Sequence, residues 1–163
     1  MNKNSLPNIL VIDSDELSLT ALKAILSTND YRVHAATAPD AAISAASYCP
    51  IDLIICDANV GGCYGTSIVA EIHKLPDRND VPVMFSSQGQ GPDIIRRRYD
   101  FGGAYHIKKP FDAKLLIDLV ERALWMPALV QTHIARPHFK IGPGVATNSS
   151  QIVTGTVKSG AID

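Results

Sequence analysis

The sequence has no Cys-x-x-Cys pair, and its three cysteines, Cys49, Cys56 and Cys63, leave an odd thiol. That argues against a zinc ribbon or a secreted disulfide scaffold and fits a reducing, cytoplasmic compartment. His34, His73, His133 and His138 show no metal-ligand spacing. No apolar stretch approaches the roughly 20 residues of a membrane span, so no membrane partner is expected. Met1-Asn2-Lys3-Asn4-Ser5 leads straight into a strand-like run and lacks the longer basic-then-apolar plan of a secretory signal. The formal net charge is −1. A dedicated nucleic-acid binder would carry a basic excess, so direct nucleic-acid contact is not expected either, although local basic patches remain allowed. There is no internal repeat and no low-complexity run.

What is present suits one ordinary domain. The chain has 163 residues, of which 46% are hydrophobic, enough to build a packed core. Short apolar runs predict strands over 9–12, 31–35, 51–56, 81–85 and 104–108, and Cys56 packs within its run as a small hydrophobe. Pro82 is tolerated at a strand's start. Between the strands lie helical patterns. Leu17, Leu19, Ala21, Leu22, Ile25 and Leu26 recur at helical spacing behind a Ser14 or Asp15 cap. An Ala-rich helix spans 41–48, begun near Pro39 and ended by Pro50. Further helices are expected over 67–75, 93–99 and 111–123, the last with Leu115, Leu116, Leu119 and Val120 along one stripe. Five strands alternating with five helices argue for parallel βαβ units in a three-layer α/β sandwich over residues 6–124.

The remainder, 125–163, has another character. It carries Pro127, Pro137, Gly142-Pro143-Gly144 and a polar Thr147-Asn148-Ser149-Ser150, and about forty residues are too few for an independent core. It reads as a flexible or surface-packed extension, or else as a linker toward a further domain.

Several polar residues end the apolar runs in a telling order. Asp13-Ser14-Asp15-Glu16 follows the first run, Asp57 the third, Ser86-Ser87 the fourth and Lys109-Pro110 the fifth, while Gly61-Gly62-Cys63-Tyr64-Gly65 comes after Asp57. Ligand sites in open parallel α/β sheets form at the carboxyl ends of strands. This constellation resembles the response-regulator receiver domain of two-component phosphorelays, over about residues 7–122. Ile9 to Asp13, Asp57 with Gly65 eight residues on, Pro82 to Ser87 and Lys109-Pro110-Phe111 match in register. Each match alone is weak, and together they are specific.

The resemblance implies a flavodoxin-like sheet of order 2-1-3-4-5. It implies that Asp57 accepts a phosphoryl group from a histidine kinase or phosphotransfer protein. It places Mg²⁺ on Asp13, Asp57 and the backbone carbonyl of Asn59, with Asp15 joining if its loop shifts. Ser87, Lys109 and the amide of Ala58 would bind phosphoryl oxygens. Lys109, rather than Lys108, would be aimed inward by its bond to Pro110. In the family the residue at 106 takes part in switching, and the fourth helix through the fifth engages targets. His106, Arg96 and Arg97 therefore mark the switch and output face, which would hold a downstream protein or a second copy of the chain. For the basic run Arg96-Arg97-Arg98 a solvated face is the equal alternative.

Three departures from the family qualify this. Ser14 stands where a second acid is usual, which should weaken Mg²⁺ binding, because this ion sheds water reluctantly. Gly61 replaces a common proline, so the loop after Asp57 is expected to be mobile. His106 replaces an aromatic, and Tyr105 beside it should point to the opposite face. The leading expectation is a receiver that signals by protein contact, not an enzyme beyond weak self-catalysed phosphoryl transfer. A degenerate receiver that acts without phosphorylation is the first alternative. The second is a small phosphatase, since Asp13-Ser14-Asp15 is similar to the Asp-x-Asp of haloacid-dehalogenase-like enzymes, with Asp13 as nucleophile and Asp15 as acid/base.

Overall fold

A computed structural model describes residues 5–89 and 104–125. Within them the chain runs β1 (Asn8–Ile12), α1 (Glu16–Ser27), β2 (Arg32–Ala36), α2 (Pro39–Tyr48), β3 (Leu53–Asp57), β4 (Asn59–Val60), β5 (Cys63–Tyr64), α3 (Gly65–His73), β6 (Val83–Ser87), β7 (Tyr105–Lys108) and α4 (Ala113–Trp125). Five strands form one parallel sheet of order β2-β1-β3-β6-β7. This is the expected flavodoxin-like order. Four helices lie among the described residues. The helix expected over 93–99, with Arg96 and Arg97, lies outside them, as does the extension beyond Trp125.

Strand alternation builds the two cores. Leu10, Ile12, Ile54, Cys56, Val83 and Phe85 project to one face, where Ala42 and Ala46 of α2 and Ile68, Val69 and Ile72 of α3 cover them. Ile9, Val11, Leu53, Ile55, Met84 and Ile107 project to the other, under Leu19, Leu22 and Leu26 of α1 and Leu116, Val120 and Ala123 of α4. Both faces are covered, so the central strands read as continuous apolar runs and not as alternating ones.

The chain reverses its direction of travel across the sheet between β1 and β3. β1 pairs with β2 on one edge and with β3 on the other. The crevice outside the carboxyl ends of these two strands is the topological switch point, where open α/β sheets place their ligands. Asp13 follows β1 and Asp57 ends β3, so both carboxylates stand there.

The loop after Asp57 departs from expectation. Asn59 pairs with Tyr64 and Val60 with Cys63 in a two-stranded antiparallel hairpin. Gly61 and Gly62 make its two-residue turn with φ of 60° and 86°. The substitution of glycine for proline supplies the left-handed backbone such a turn requires, and the loop gains a hydrogen-bonded ladder.

Candidate functional site

Two carboxylates are fixed here by the same device. The backbone N–H of Asp15 donates to Asp13 Oδ1 at 2.9 Å, and that of Asn59 donates to Asp57 Oδ1 at 2.7 Å. In each case the N–H two residues on turns the side chain back over the strand end. The second oxygen of each carboxylate meets the same cation. Lys109 Nζ donates to Asp13 Oδ2 at 2.6 Å and also to Asp57 Oδ2. The Lys109–Pro110 peptide is cis, and the Lys109 N–H donates to the Ser87 carbonyl at 2.8 Å. Lys108 is exposed.

This trio is well shielded. The side chains of Asp13, Asp57 and Lys109 are 2%, 13% and 10% exposed. Burial pulls the Lys109 ammonium down, but its hydrogen bonds to Asp13 and Asp57, with their charges, outweigh that and hold it above the ordinary lysine range. Burial, and then the charges of Asp57 and Asp13, push the neighbouring Cys56 thiol far up, so it is no nucleophile.

Asp15 is turned away from the trio. It caps α1, its Oδ1 accepting from the Leu17 N–H at 3.0 Å and its Oδ2 from the Ser18 hydroxyl at 2.8 Å. The Ser18 and Leu17 bonds lower its pKa. Of the two expectations for Asp15, metal ligand or helix cap, the structure has the cap. Ser14 is exposed. Among the described residues no group of three or more His, Cys, Asp or Glu side chains could hold a metal ion. Two carboxylates remain at the strand ends. The Asn59 carbonyl takes part in neither hairpin bond: the Gly65 N–H donates to the Ala58 carbonyl at 2.9 Å, so by antiparallel alternation Asn59 and Tyr64 form the wide, unbonded pair.

The Ala58 amide, expected to donate to a phosphoryl oxygen, donates here to the Ser86 carbonyl at 2.8 Å, extending the β3–β6 ladder. A ladder bond satisfies this N–H and leaves no free donor. Ser87 Oγ bonds to the Gly89 carbonyl and lies 2.9 Å from His106 Nε2. His106, expected on the output surface, is half-buried and tied to Ser87, and burial pushes its pKa down. The sequence reading missed this bond. The signal was strand alternation: residues 85 and 106 stand opposite each other, which makes 87 a diagonal neighbour of 106 on the same face.

The family model for the response regulator receiver domain matches residues 9–121. The two-component response regulator ORR8 of Oryza sativa subsp. indica is 27% identical over 110 residues, covering 65% of this chain and 88% of its own. The probable transcriptional regulator ycf29 of Cyanophora paradoxa is 28% identical over 130 residues, covering 79% of this chain. This chain spans 61% of that relative and 58% of the ycf29 protein of Porphyra purpurea. The CheY-like receiver domain of Methanospirillum hungatei superposes with a TM-score of 0.69 at 21% identity, over 76% of this chain and 97% of its own. Among the described residues no helix is long and apolar enough to cross a membrane.

Proposed function

Because the chain belongs to the response regulator receiver domain family, we propose that it accepts a phosphoryl group on Asp57 from a histidine kinase or phosphotransfer protein and signals by protein contact from the cytoplasm. Response regulators work with such donors, and receiver domains are generally not enzymes. The observation that carries the reading is the shared grip of Lys109 on Asp57 and Asp13 at the switch point of the sheet. A carboxylate held there by one backbone N–H and one cation is oriented before any donor arrives, and catalysis of phosphoryl transfer is mostly orientation and charge.

In the transfer, a carboxylate oxygen of Asp57 forms a bond to phosphorus as the donor's phosphorus–nitrogen bond breaks. The new oxygens need positive partners. Lys109 is a compact cation already beside the acceptor. Ser87 supplies a hydroxyl once its hydrogen leaves the Gly89 carbonyl. Asp13, Asp57 and the Asn59 carbonyl would hold Mg²⁺. Two carboxylates plus a phosphate fit this ion's habit of keeping several waters, and it would supply neutralising charge. Asp15, committed to its cap, is left out of this set. Residues 6–124 form the receiver and 125–163 an extension or linker. His106 with Arg96 and Arg97 marks a switch and output face for a target protein or a second copy.

One observation favours a second reading, a receiver that binds partners without phosphorylation. Among the described residues two carboxylates reach the site, and Lys109 already bonds to both. Against the phosphatase alternative speaks its acid/base, Asp15, whose two oxygens accept hydrogen bonds from α1. Intact mass after incubation with acetyl phosphate, with and without Mg²⁺, tests the reading. We expect a Mg²⁺-dependent gain of one phosphoryl group that Asp57→Asn abolishes. No gain from acetyl phosphate or from a panel of histidine kinases would leave the phosphorylation-independent module.

A further inference from the structure

At the ends of β6 and β7 three groups share too few hydrogens for more than one arrangement. Ser87 Oγ is bonded to the Gly89 carbonyl and to His106 Nε2. A hydroxyl has one hydrogen and two lone pairs, whereas a carbonyl oxygen only accepts. The Ser87 hydrogen therefore goes to Gly89. The 2.9 Å bond to His106 must then be donated by the imidazole, from Nε2–H. Burial pushes the His106 pKa down and so favours the neutral ring, in which only one nitrogen carries a hydrogen. Ser87 is 7% exposed, so water competes little for these bonds.

We propose that His106 is a positioning residue for Ser87: its Nε2–H holds the hydroxyl oxygen and leaves Ser87 a single hydrogen, for which the Gly89 carbonyl and a phosphoryl oxygen on Asp57 compete. This rests on the phosphoacceptor reading. While Gly89 holds the hydrogen, Ser87 has nothing to donate to the pocket. Phosphorylation draws the hydrogen inward and releases the Gly89 carbonyl, at the start of the connection toward residues 90–103. The imidazole donates throughout. A hydroxyl that accepts a bond is polarised into a better donor, so His106 strengthens the hold on phosphate. The change at the site thus leaves it as an exchange of hydrogen-bond partner at residue 89.

Two measurements on the full chain test this. The first is ¹⁵N NMR of the His106 ring, with and without Ser87→Ala. We expect a protonated Nε2 and a bare Nδ1, with the Nε2 signal shifting when Ser87 is replaced. The second is the rate of Asp57 phosphorylation by acetyl phosphate with Mg²⁺, in His106→Phe and His106→Gln, each with Ser87 or Ala at 87. Phe fills the space but donates nothing, and the rate should fall about fivefold, the worth of one hydrogen bond. Gln carries an N–H of similar reach and should recover most of it. In the Ser87→Ala background the Phe substitution should cost nothing further. A hydrogen on Nδ1 instead of Nε2, a Gln variant no better than Phe, or a Phe effect independent of Ser87 would each overturn the proposal. If the unaltered chain takes up no phosphoryl group from any donor, the phosphoacceptor reading fails, and the ring-nitrogen assignment alone decides whether His106 holds Ser87.

Discussion

At Gly65 there is no room for a side chain. A Cβ there would lie 2.1 Å from the Asp57 carbonyl oxygen and 3.0 Å from Cys56 Sγ. The first residue of α3 is pressed against the end of β3, next to Asp57. Gly65→Ala should therefore cost about 2–3 kcal/mol, the strain of an overpacked core site, and lower phosphoryl uptake at Asp57. Denaturant unfolding and intact mass read the two effects, and an unchanged midpoint would mean that α3 yields easily. Ser86 is the opposite case. It is 1% exposed and, among the described residues, its hydroxyl finds no partner. Ser86→Ala removes a desolvated group that bonds nothing, and stability should rise by about 1 kcal/mol. A fall in the denaturation midpoint would reveal a hidden partner such as a buried water. Asp13, Asp57 and Lys109 were legible in the sequence because each ends an apolar run. Their orientation was not, because it is set by the N–H groups of Asp15 and Asn59 and by a lysine that reaches both acids. The engagement of the Ala58 amide was equally hidden, since its partner lies across a ladder whose register only the fold defines.

The elements show where periodicity informs and where it stops. Apolar runs located all five sheet strands, since burial on both faces demands such runs. The ends shifted where pairing outlasts the apolar residues: β6 runs through Ser86 and Ser87 because these stand opposite Asp57 and Lys108. The hairpin of β4 and β5 was missed because two-residue strands leave no periodic trace. In α1 the buried stripe is Leu19, Leu22 and Leu26, while Leu17, counted into the stripe from its spacing, is 81% exposed. Position 17 lies two residues after the cap and off the sheet-facing side. The cap is the helix's other anchor. Asp15→Ala should destabilise the protein by about 1 kcal/mol, as loss of an N-cap does. The Mg²⁺ titration midpoint should stay unchanged, because that carboxylate serves the helix. A large loss of Mg²⁺ affinity with unaltered stability would return Asp15 to the metal set.

Across the whole molecule the sheet gathers two acids and one base from the ends of three strands distant in sequence, so the charge state of this trio couples to folding. Lys109 titrates above the ordinary lysine value in the fold. Its contribution is thus fully present below that ordinary value, roughly pH 10.4, and is lost as pH rises through the raised one. Lys109→Met should abolish this alkaline loss. At neutral pH it should also cost about 3–5 kcal/mol, by leaving two shielded carboxylates without their cation. Urea unfolding from pH 7 to 11 compares the two chains. The same trio carries one net negative charge, little to draw a divalent ion from water. Ser14 lies exposed between Asp13 and the capping Asp15, where a carboxylate would join the strand-end oxygens without displacing any buried group. Ser14→Asp should therefore tighten Mg²⁺ binding about tenfold or more, because ligand charge count sets the affinity of such sites. It should also speed phosphorylation of Asp57 at low Mg²⁺. Calorimetric titration of the two chains at constant ionic strength measures the difference. Equal affinities would show that residue 14 does not face the ion and that Asp13 and Asp57 supply the charge alone.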